Sequence, residues 1–290
     1  MIREIVRQLR PHHWVKNILV LLPLFLAHEW SSSKLLMDAF MAAISFSLLA
    51  SAVYVINDLQ DINSDKLHPA KRLRPLASGR LSKTLAVGMA PILIAGSLTI
   101  AQLLPVNFRI WLLVYGVVST LYTVFLKRLV LVDVLVLASM YIIRLLAGGE
   151  STNTPVSPWL MMMGLFLFTS IAFVKRFTEL SDIARRNEHG SVGRGYRVHD
   201  AETIRLLGIS TGLLAPVVLA LYITSPDVAQ LYRQPTLLWL AVPVLMYWVS
   251  MMWMSASRGT VDDDPIVTMI TNPRSWAVGL LLASIIVVAA

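Results

Sequence analysis

Apolar residues gather into nine long runs along the chain, approximately 15–30, 35–57, 84–104, 108–126, 129–148, 157–175, 203–224, 236–255 and 274–290. A helix rises about 1.5 Å per residue, so runs of this length approach or cross a hydrocarbon layer of about 30 Å. The pattern predicts an all-α, polytopic membrane bundle of about nine transmembrane helices. Pro23 interrupts the first run and Pro91 lies in the third. Membrane helices accept proline where neighbours satisfy the freed carbonyls. The longest polar stretches are 57–83, 175–202 and 256–273, with no low-complexity run or water-soluble module between the spans. A single integral membrane domain over 1–290 is expected, opening with a basic, amphipathic segment at 1–14. That opening lacks the compact apolar core and small-residue cleavage site of a signal peptide, and reads as mature sequence.

Composition sharpens this picture. Hydrophobic residues make up 56% of the chain and charged residues 14%, against about 45–50% and about 25% in soluble domains. A disordered chain, a soluble nucleic-acid binder and a disulfide-stapled module are all excluded. There is no cysteine, so thiolate zinc sites and cysteine nucleophiles are excluded as well. The formal charge is +8. In so apolar a chain, a basic excess points to an anionic membrane face or a phosphorylated substrate rather than to nucleic acid.

The placement of Lys and Arg predicts orientation. With nine spans, 21 of the 25 basic residues fall in one set of loops; only Lys34, Arg109 and Arg233 fall opposite, and Arg144 lies within a span. The basic side is read as the cytoplasm. All three long polar stretches share it, so a cavity within the membrane, open to the cytoplasm, is expected.

The strongest chemical signal runs from Asn57 to Gly79, NDLQDINSDKLHPAKRLRPLASG, directly after an apolar span. At about 100° per residue, Asn57, Asp58, Asp61 and Asp65 share an arc of about 100°, and Asp58 to Asp65 rises about 10 Å. Even one charge buried in hydrocarbon costs roughly 2.5–3.5 kcal/mol on insertion scales. Three neighbouring carboxylates therefore call for a cation. All-oxygen ligands suit Mg²⁺ or Mn²⁺, and Mg²⁺ typically takes one or two carboxylates plus substrate phosphates. Lys71, Arg72 and Arg74 follow closely and suit a phosphate-bearing leaving group. The competing reading is a solvated acidic helix end neutralised by the basic loop.

This pattern, NDxxDxxxD at a helix end followed by KRxRP and a small-residue turn, resembles the first aspartate motif of the UbiA superfamily of intramembrane prenyltransferases. Further segments resemble one branch of it, decaprenyl-phosphate phosphoribosyltransferase and its relatives. These are RPHHWVKN from Arg10, HPAKRLRP from His68, YTVFLKR from Tyr122, Asp133 with YIIR ending at Arg144 and AGG ending at Gly149, and KRFTEL from Lys175. The branch resemblance implies transfer of 5-phosphoribosyl from phosphoribosyl diphosphate to a polyprenyl phosphate. The wider superfamily implies transfer of a prenyl group from prenyl diphosphate to an aromatic or similar acceptor. The chain departs from the common pattern after the sixth span. A second Asp-rich motif is expected there, but the sequence reads KRFTELSD, with only Glu179 and Asp182 acidic. Lys175 and Arg176 suit a phosphate there instead of a second metal.

Other residues carry two readings each. Arg144 is a functional candidate by its depth, or else it snorkels outward or pairs with Glu150. Tyr122 and Lys127 contact phosphate, or anchor the interface. The adjacent His12 and His13 do not share a helix face, and the segment around Trp14 suits a lipid-headgroup surface, with Lys16 and Asn17 approaching the site. Asp262, Asp263 and Asp264 read as a loop charge run or helix cap. Gly148 and Gly149 read as a helix end.

The expected machinery is therefore Asn57, Asp58, Asp61 and Asp65 on Mg²⁺, with Mn²⁺ as substitute. Lys71, Arg72, Arg74 and Lys127 neutralise the donor diphosphate, and Asp58, Asp61 and Lys127 act in catalysis. Lys16, Asn17, Tyr122, Arg144, Lys175, Arg176 and Glu179 are expected to contact substrate. An acceptor phosphate is already nucleophilic and needs no strong base, and no histidine is placed to serve as one. The rivals are prenyl transfer, and a transporter or lipid-binding protein. Carriers with broken helices show half-to-half repeats, and no such correspondence is evident.

Overall fold

The computed structural model describes residues 1–67, 71–185, 195–261 and 264–290. His68, Asp262 and Asp263, each named above, lie outside the described residues. The elements are α1 (Ile2–Leu9), a 3₁₀ helix (Pro11–Val20), α2 (Leu22–Leu26), α3 (Ser33–Gln60), α4 (Ile62–Leu67), a 3₁₀ turn (Lys71–Leu73), α5 (Lys83–Ala101), α6 (Val106–Val124), a 3₁₀ turn (Leu126–Arg128) and α7 (Val132–Ser151). They continue with α8 (Pro158–Arg185), a 3₁₀ turn (Val198–Asp200), α9 (Ala201–Ile223), α10 (Pro226–Leu231), a 3₁₀ helix (Pro235–Leu240), α11 (Ala241–Ser257), α12 (Pro265–Thr271) and α13 (Pro273–Ala289). No strand occurs among the described residues.

Six helical stretches are long and apolar enough to cross a membrane: Ser33–Gln60, Lys83–Ala101, Val132–Ser151, Pro158–Arg185, Val198–Ile223 and Pro235–Ser257. A seventh is counted if α12 and α13, bent by 81°, form one broken span. The fourth expected span corresponds to α6, of 19 residues. The first expected span, 15–30, differs: it is the 3₁₀ helix followed by the five-residue α2. Pro11 opens the 3₁₀ helix and Pro23 lies within α2. The tighter winding places residues i and i+3 on one face, which turns Asn17 and Val20 inward together.

Side-chain caps set several helix starts. Ser32 accepts from the Leu35 amide, Ser82 from Leu85, and Asn272 from Arg274, at 3.4, 3.2 and 2.9 Å. Each satisfies an amide that the first turn leaves without a helical partner. α5 and α9 run through Pro91 and Pro216 without ending.

The chain forms two compact units. The first comprises Met1–Phe25, Glu29–Thr123 and Ile143–Pro155; the second comprises Leu26–His28, Val124–Ile142 and Val156–Ala290. In the first, α3 and α5 meet through a reciprocal pair. Ser45 Oγ donates to the Ser97 carbonyl at 3.0 Å, and Ser97 Oγ donates to the Ser45 carbonyl at 2.8 Å. Small hydroxyl residues let membrane helices approach closely and satisfy their own polarity. Phe46 of α3 packs edge-on against Phe108 and tilted against Tyr115 of α6, with ring centroids 5.9 and 5.2 Å apart. Gly148 and Gly149 lie inside α7, which runs on to Ser151. A Cβ at Gly148 would stand 2.1 Å from the Val20 carbonyl oxygen. Only glycine allows the 3₁₀ helix to cross α7 so closely.

In the second unit, α8, α9 and α11 share one knot. Ser170 Oγ donates to the Gly208 carbonyl at 2.7 Å and accepts from Trp253 Nε1 at 3.0 Å. A Cβ at Gly208 would stand 2.2 Å from the Trp253 ring.

Gly148→Ala is expected to destabilise the protein by about 1–3 kcal/mol, because the added methyl meets backbone rather than a yielding side chain. Gly88→Ala meets nothing within 4 Å and is expected to be neutral or stabilising by up to about 1 kcal/mol. Thermal unfolding of the two variants in detergent measures the contrast.

Candidate functional site

The end of α3 carries the acidic motif, and the N-terminal segment is laid against it. Ser47, Ser51, Tyr54 and Asp58 recur at helical spacing on one face of α3. Asn17 Nδ2 donates to Ser47 Oγ at 2.9 Å and Trp14 Nε1 to Ser51 Oγ at 3.0 Å; Ser51 Oγ in turn donates to the Leu9 carbonyl at 2.9 Å. Arg10 lies over the Tyr54 ring, 5.1 Å from its centroid. At the end of this face the Arg10 guanidinium donates to both oxygens of Asp58, at 2.7 and 2.6 Å, and Gln8 Nε2 adds a bond of 2.8 Å. Residues 8–17 therefore run along α3 as a zipper.

α3 ends at Gln60 and α4 begins at Ile62, with Asp61 at the junction. The helical pitch survives the break: the Asp61 amide donates to the Asn57 carbonyl at 2.9 Å and the Asp65 amide to the Asp61 carbonyl at 2.8 Å. Asp58 and Asp65, 2% and 4% exposed, are bridged by Arg74 NH1 at 3.2 and 2.7 Å. Two carboxylates thus converge on one positive centre, the donor set that a hard divalent cation takes. Asn57 and Asp61 are half-buried beside them, Lys71 is half-buried and Arg72 is exposed. Among the described residues, no group of three or more acidic and histidine side chains is disposed to hold a metal.

A second network lies in the same unit. Arg144 is only 4% exposed. Its Nε donates to Asn17 Oδ1 at 2.9 Å and its NH2 to the Tyr115 hydroxyl at 3.0 Å, while its guanidinium sits 4.6 Å from the Tyr115 ring centroid. Arg144 is therefore buried rather than snorkelling, and Glu150 instead accepts from Asn107 at 3.0 Å. Lys16 is buried on the same 3₁₀ helix as Asn17, and Tyr122 is half-buried near the end of α6.

The remaining candidates belong to the second unit. Arg176 is 1% exposed; its Nε pairs with Asp133 Oδ2 at 2.7 Å, and its NH1 pairs with Glu179. The Tyr196 hydroxyl donates to Asp133 Oδ1 at 2.6 Å and accepts from the Leu131 amide at 2.8 Å. Burial, and then the bond to Asp133, hold the Tyr196 phenol above its ordinary value, so it stays a donor at neutral pH. The adjacent Gly195 has φ 75°, and a Cβ there would stand 2.9 Å from the Arg128 carbonyl oxygen. These contacts fix the segment that follows Lys127. Lys127 and Lys175 are both half-buried.

Sequence reasoning missed Gln8, Arg10, Tyr115 and Tyr196. Arg10 heads the RPHHWVKN segment, a usable signal. Gln8 has none beyond its place two residues earlier.

The description "UbiA prenyltransferase family" matches residues 17–269. The chain belongs to this family. This UbiA protein is 32% identical over 279 residues to the nodulation protein NoeC of Azorhizobium caulinodans, covering 94% of this chain and 89% of that one. It is 36% identical over 184 residues to the decaprenyl-phosphate phosphoribosyltransferase of Mycobacterium tuberculosis, covering 62% and 61%. The chain spans little more than half, 56%, of y4nM from Sinorhizobium fredii, to which it is 30% identical over 289 residues. A UbiA homolog from Archaeoglobus fulgidus bound to DMAPP and Mg²⁺ superposes with a TM-score of 0.71 over 99% of this UbiA protein and 98% of that chain, at 16% identity. The shared fold, with its apolar helices, makes this an integral membrane protein.

Asp133→Ala leaves the buried Arg176 with Glu179 alone and takes the acceptor from Tyr196, and is expected to cost about 3–5 kcal/mol. Tyr196→Phe removes one donor and one acceptor and is expected to cost about 1–3 kcal/mol. Apparent melting temperatures in detergent check the order.

Proposed function

We propose that this UbiA-family protein transfers 5-phosphoribosyl from phosphoribosyl diphosphate to a polyprenyl phosphate and releases diphosphate. The observation that carries the reading is the convergence of Asp58 and Asp65 on one cationic centre, beside the Lys71, Arg72 and Arg74 loop. The branch-level likeness to the mycobacterial phosphoribosyltransferase supports the donor. The transferase is proposed to be a single membrane domain with its cavity facing the cytoplasm, in a cell inner membrane with the N-terminus inside.

Asp58 and Asp65, with Asp61 and Asn57 beside them, would hold Mg²⁺, or Mn²⁺ in its place, and donor phosphate oxygens would supply the remaining ligands. When bound, the ion supplies positive charge against the leaving diphosphate. Lys71, Arg72, Arg74 and Lys127 neutralise the phosphate oxygens as the ribosyl–oxygen bond breaks. Lys175, Glu179 and Tyr122 are the residues proposed for substrate contact. Arg176 serves chiefly to hold Asp133, and Arg144 with Lys16 and Asn17 braces the 3₁₀ helix near the site. The anomeric carbon gains oxocarbenium character and an acceptor phosphate oxygen forms the new bond. That oxygen is anionic at neutral pH, so no base is required of the protein.

A second reading is prenyl transfer to an aromatic or quinone-precursor acceptor, favoured by the fold shared with the DMAPP-bound homolog. It uses the same carboxylates.

Purified full-length protein with Mg²⁺, polyprenyl phosphate and either labelled phosphoribosyl diphosphate or labelled prenyl diphosphate separates the two. Product from the phosphoribosyl donor is expected; product from the prenyl donor alone overturns the first reading and keeps the second. Asp61→Ala is expected to lower turnover by about 10²-fold or more while the protein stays folded, and full activity would remove the metal from the scheme. At Asp58 the useful variant is Asn, because Ala would leave Arg10 and Arg74 facing an apolar void.

A further inference from the structure

Arg10 is held at a joint. It connects α1 to the 3₁₀ helix with φ 53° and ψ 57°, a left-handed conformation that is unfavourable for a residue bearing a side chain. It also precedes Pro11, which disfavours helical backbone at the preceding position. Backbone of this kind persists where surrounding contacts over-determine it. Here the contacts are the two bonds from the guanidinium to Asp58 and the Leu9 carbonyl held by Ser51. α1 has only eight residues, too short to be stable alone, and Ile2 and Val6 are exposed. Its other tethers are Gln8 on Asp58 at 2.8 Å, Ile5 packed against the cluster around Val55 and Ile62, and the looser approach of Glu4 to Arg80 at 3.6 Å.

Charge gives the joint a chemical meaning. Asp58 and Asp65 carry two negative charges, and the guanidiniums of Arg10 and Arg74 that contact them carry two positive ones. These four charges cancel, and the half-buried Asp61 beside them leaves the cluster one negative charge. A divalent cation entering alone would turn it net positive at a buried site. The same cation carrying diphosphate brings its own anionic oxygens, and a guanidinium binds phosphate as readily as carboxylate.

We propose that Arg10 is a displaceable counter-ion: it occupies Asp58 against a bare metal ion and yields it to metal that arrives with diphosphate. On release, the guanidinium is free to take a diphosphate oxygen, and the N-terminal strap re-forms over the donor. Metal and diphosphate therefore bind cooperatively, each raising the affinity for the other by the same factor. The inference rests on the metal–diphosphate reading of Asp58.

Equilibrium dialysis of full-length protein in detergent against Mn²⁺, with and without inorganic pyrophosphate, measures both ligands retained. Wild type is expected to hold Mn²⁺ at least tenfold more tightly when pyrophosphate is present. Arg10→Gln is expected to bind Mn²⁺ alone at least tenfold more tightly than wild type and to lose most of the cooperativity. Arg10→Lys, which keeps the charge but not the reach and planar geometry of the guanidinium, is expected to shift several-fold in the same direction and serves if the Gln variant does not stay monodisperse. Equal Mn²⁺ affinity and equal cooperativity in wild type and the Arg10 variants would overturn the proposal. Asp58→Asn separates the two levels. If it retains Mn²⁺ and pyrophosphate like wild type, the site reading itself fails. If it loses them while the Arg10 variants match wild type, only the counter-ion role fails.

Discussion

A carboxylate that is almost wholly removed from water must be answered by donors, and Asp58 is answered from two directions. Gln8 and Arg10 reach it from the N-terminal segment, and Arg74 reaches it from the loop beyond α4. Neither of those pieces is part of a long helix, and each needs a reason to stay where it is. The buried charge supplies it. Leaving such a charge unanswered would cost several kcal/mol, more than a short helix or a small-residue turn can contribute alone. The serines at one-turn and two-turn spacing on α3 extend this anchorage into a continuous polar seam.

The second unit solves a similar problem differently. Asp133 is completely buried, and it is met by one guanidinium and one phenol rather than by two guanidiniums. Tyr196 holds its proton, so it can only donate to Asp133 while its oxygen receives the Leu131 amide. That makes the arrangement a clamp on backbone. The contrast with Asp58 follows from the partners. A guanidinium can exchange a carboxylate for a phosphate, whereas a phenol wedged between an amide and a carboxylate has nothing to exchange.

Much of this was legible in the residues. The apolar runs fall where most of the long helices stand, and the acidic motif lies at the end of α3 as its spacing requires. The first run was misread because hydropathy does not distinguish an α-helix from a 3₁₀ helix; Pro11 and Pro23 were visible, but their effect depends on what packs beside them. The glycines of the AGG segment were read as a terminus because glycine commonly ends helices, yet Gly148 is demanded by the Val20 carbonyl, a contact 128 residues away along the chain. Arg176 looked like a phosphate ligand because a cation at a membrane boundary usually faces polar surroundings; its partner Asp133 is 43 residues distant and no local pattern joins them. Local signals pointed to the candidate residues, and long-range pairing decided which cations were already engaged.

The route of the chain through the first unit has one more implication. Ile143–Pro155 closes that unit, yet it arrives only after Val124–Ile142 has been contributed to the other. The bond between Asn17 and Arg144 spans that detour. No single scission can therefore yield one intact unit as a continuous fragment, and a split version would have to reunite its halves by complementation.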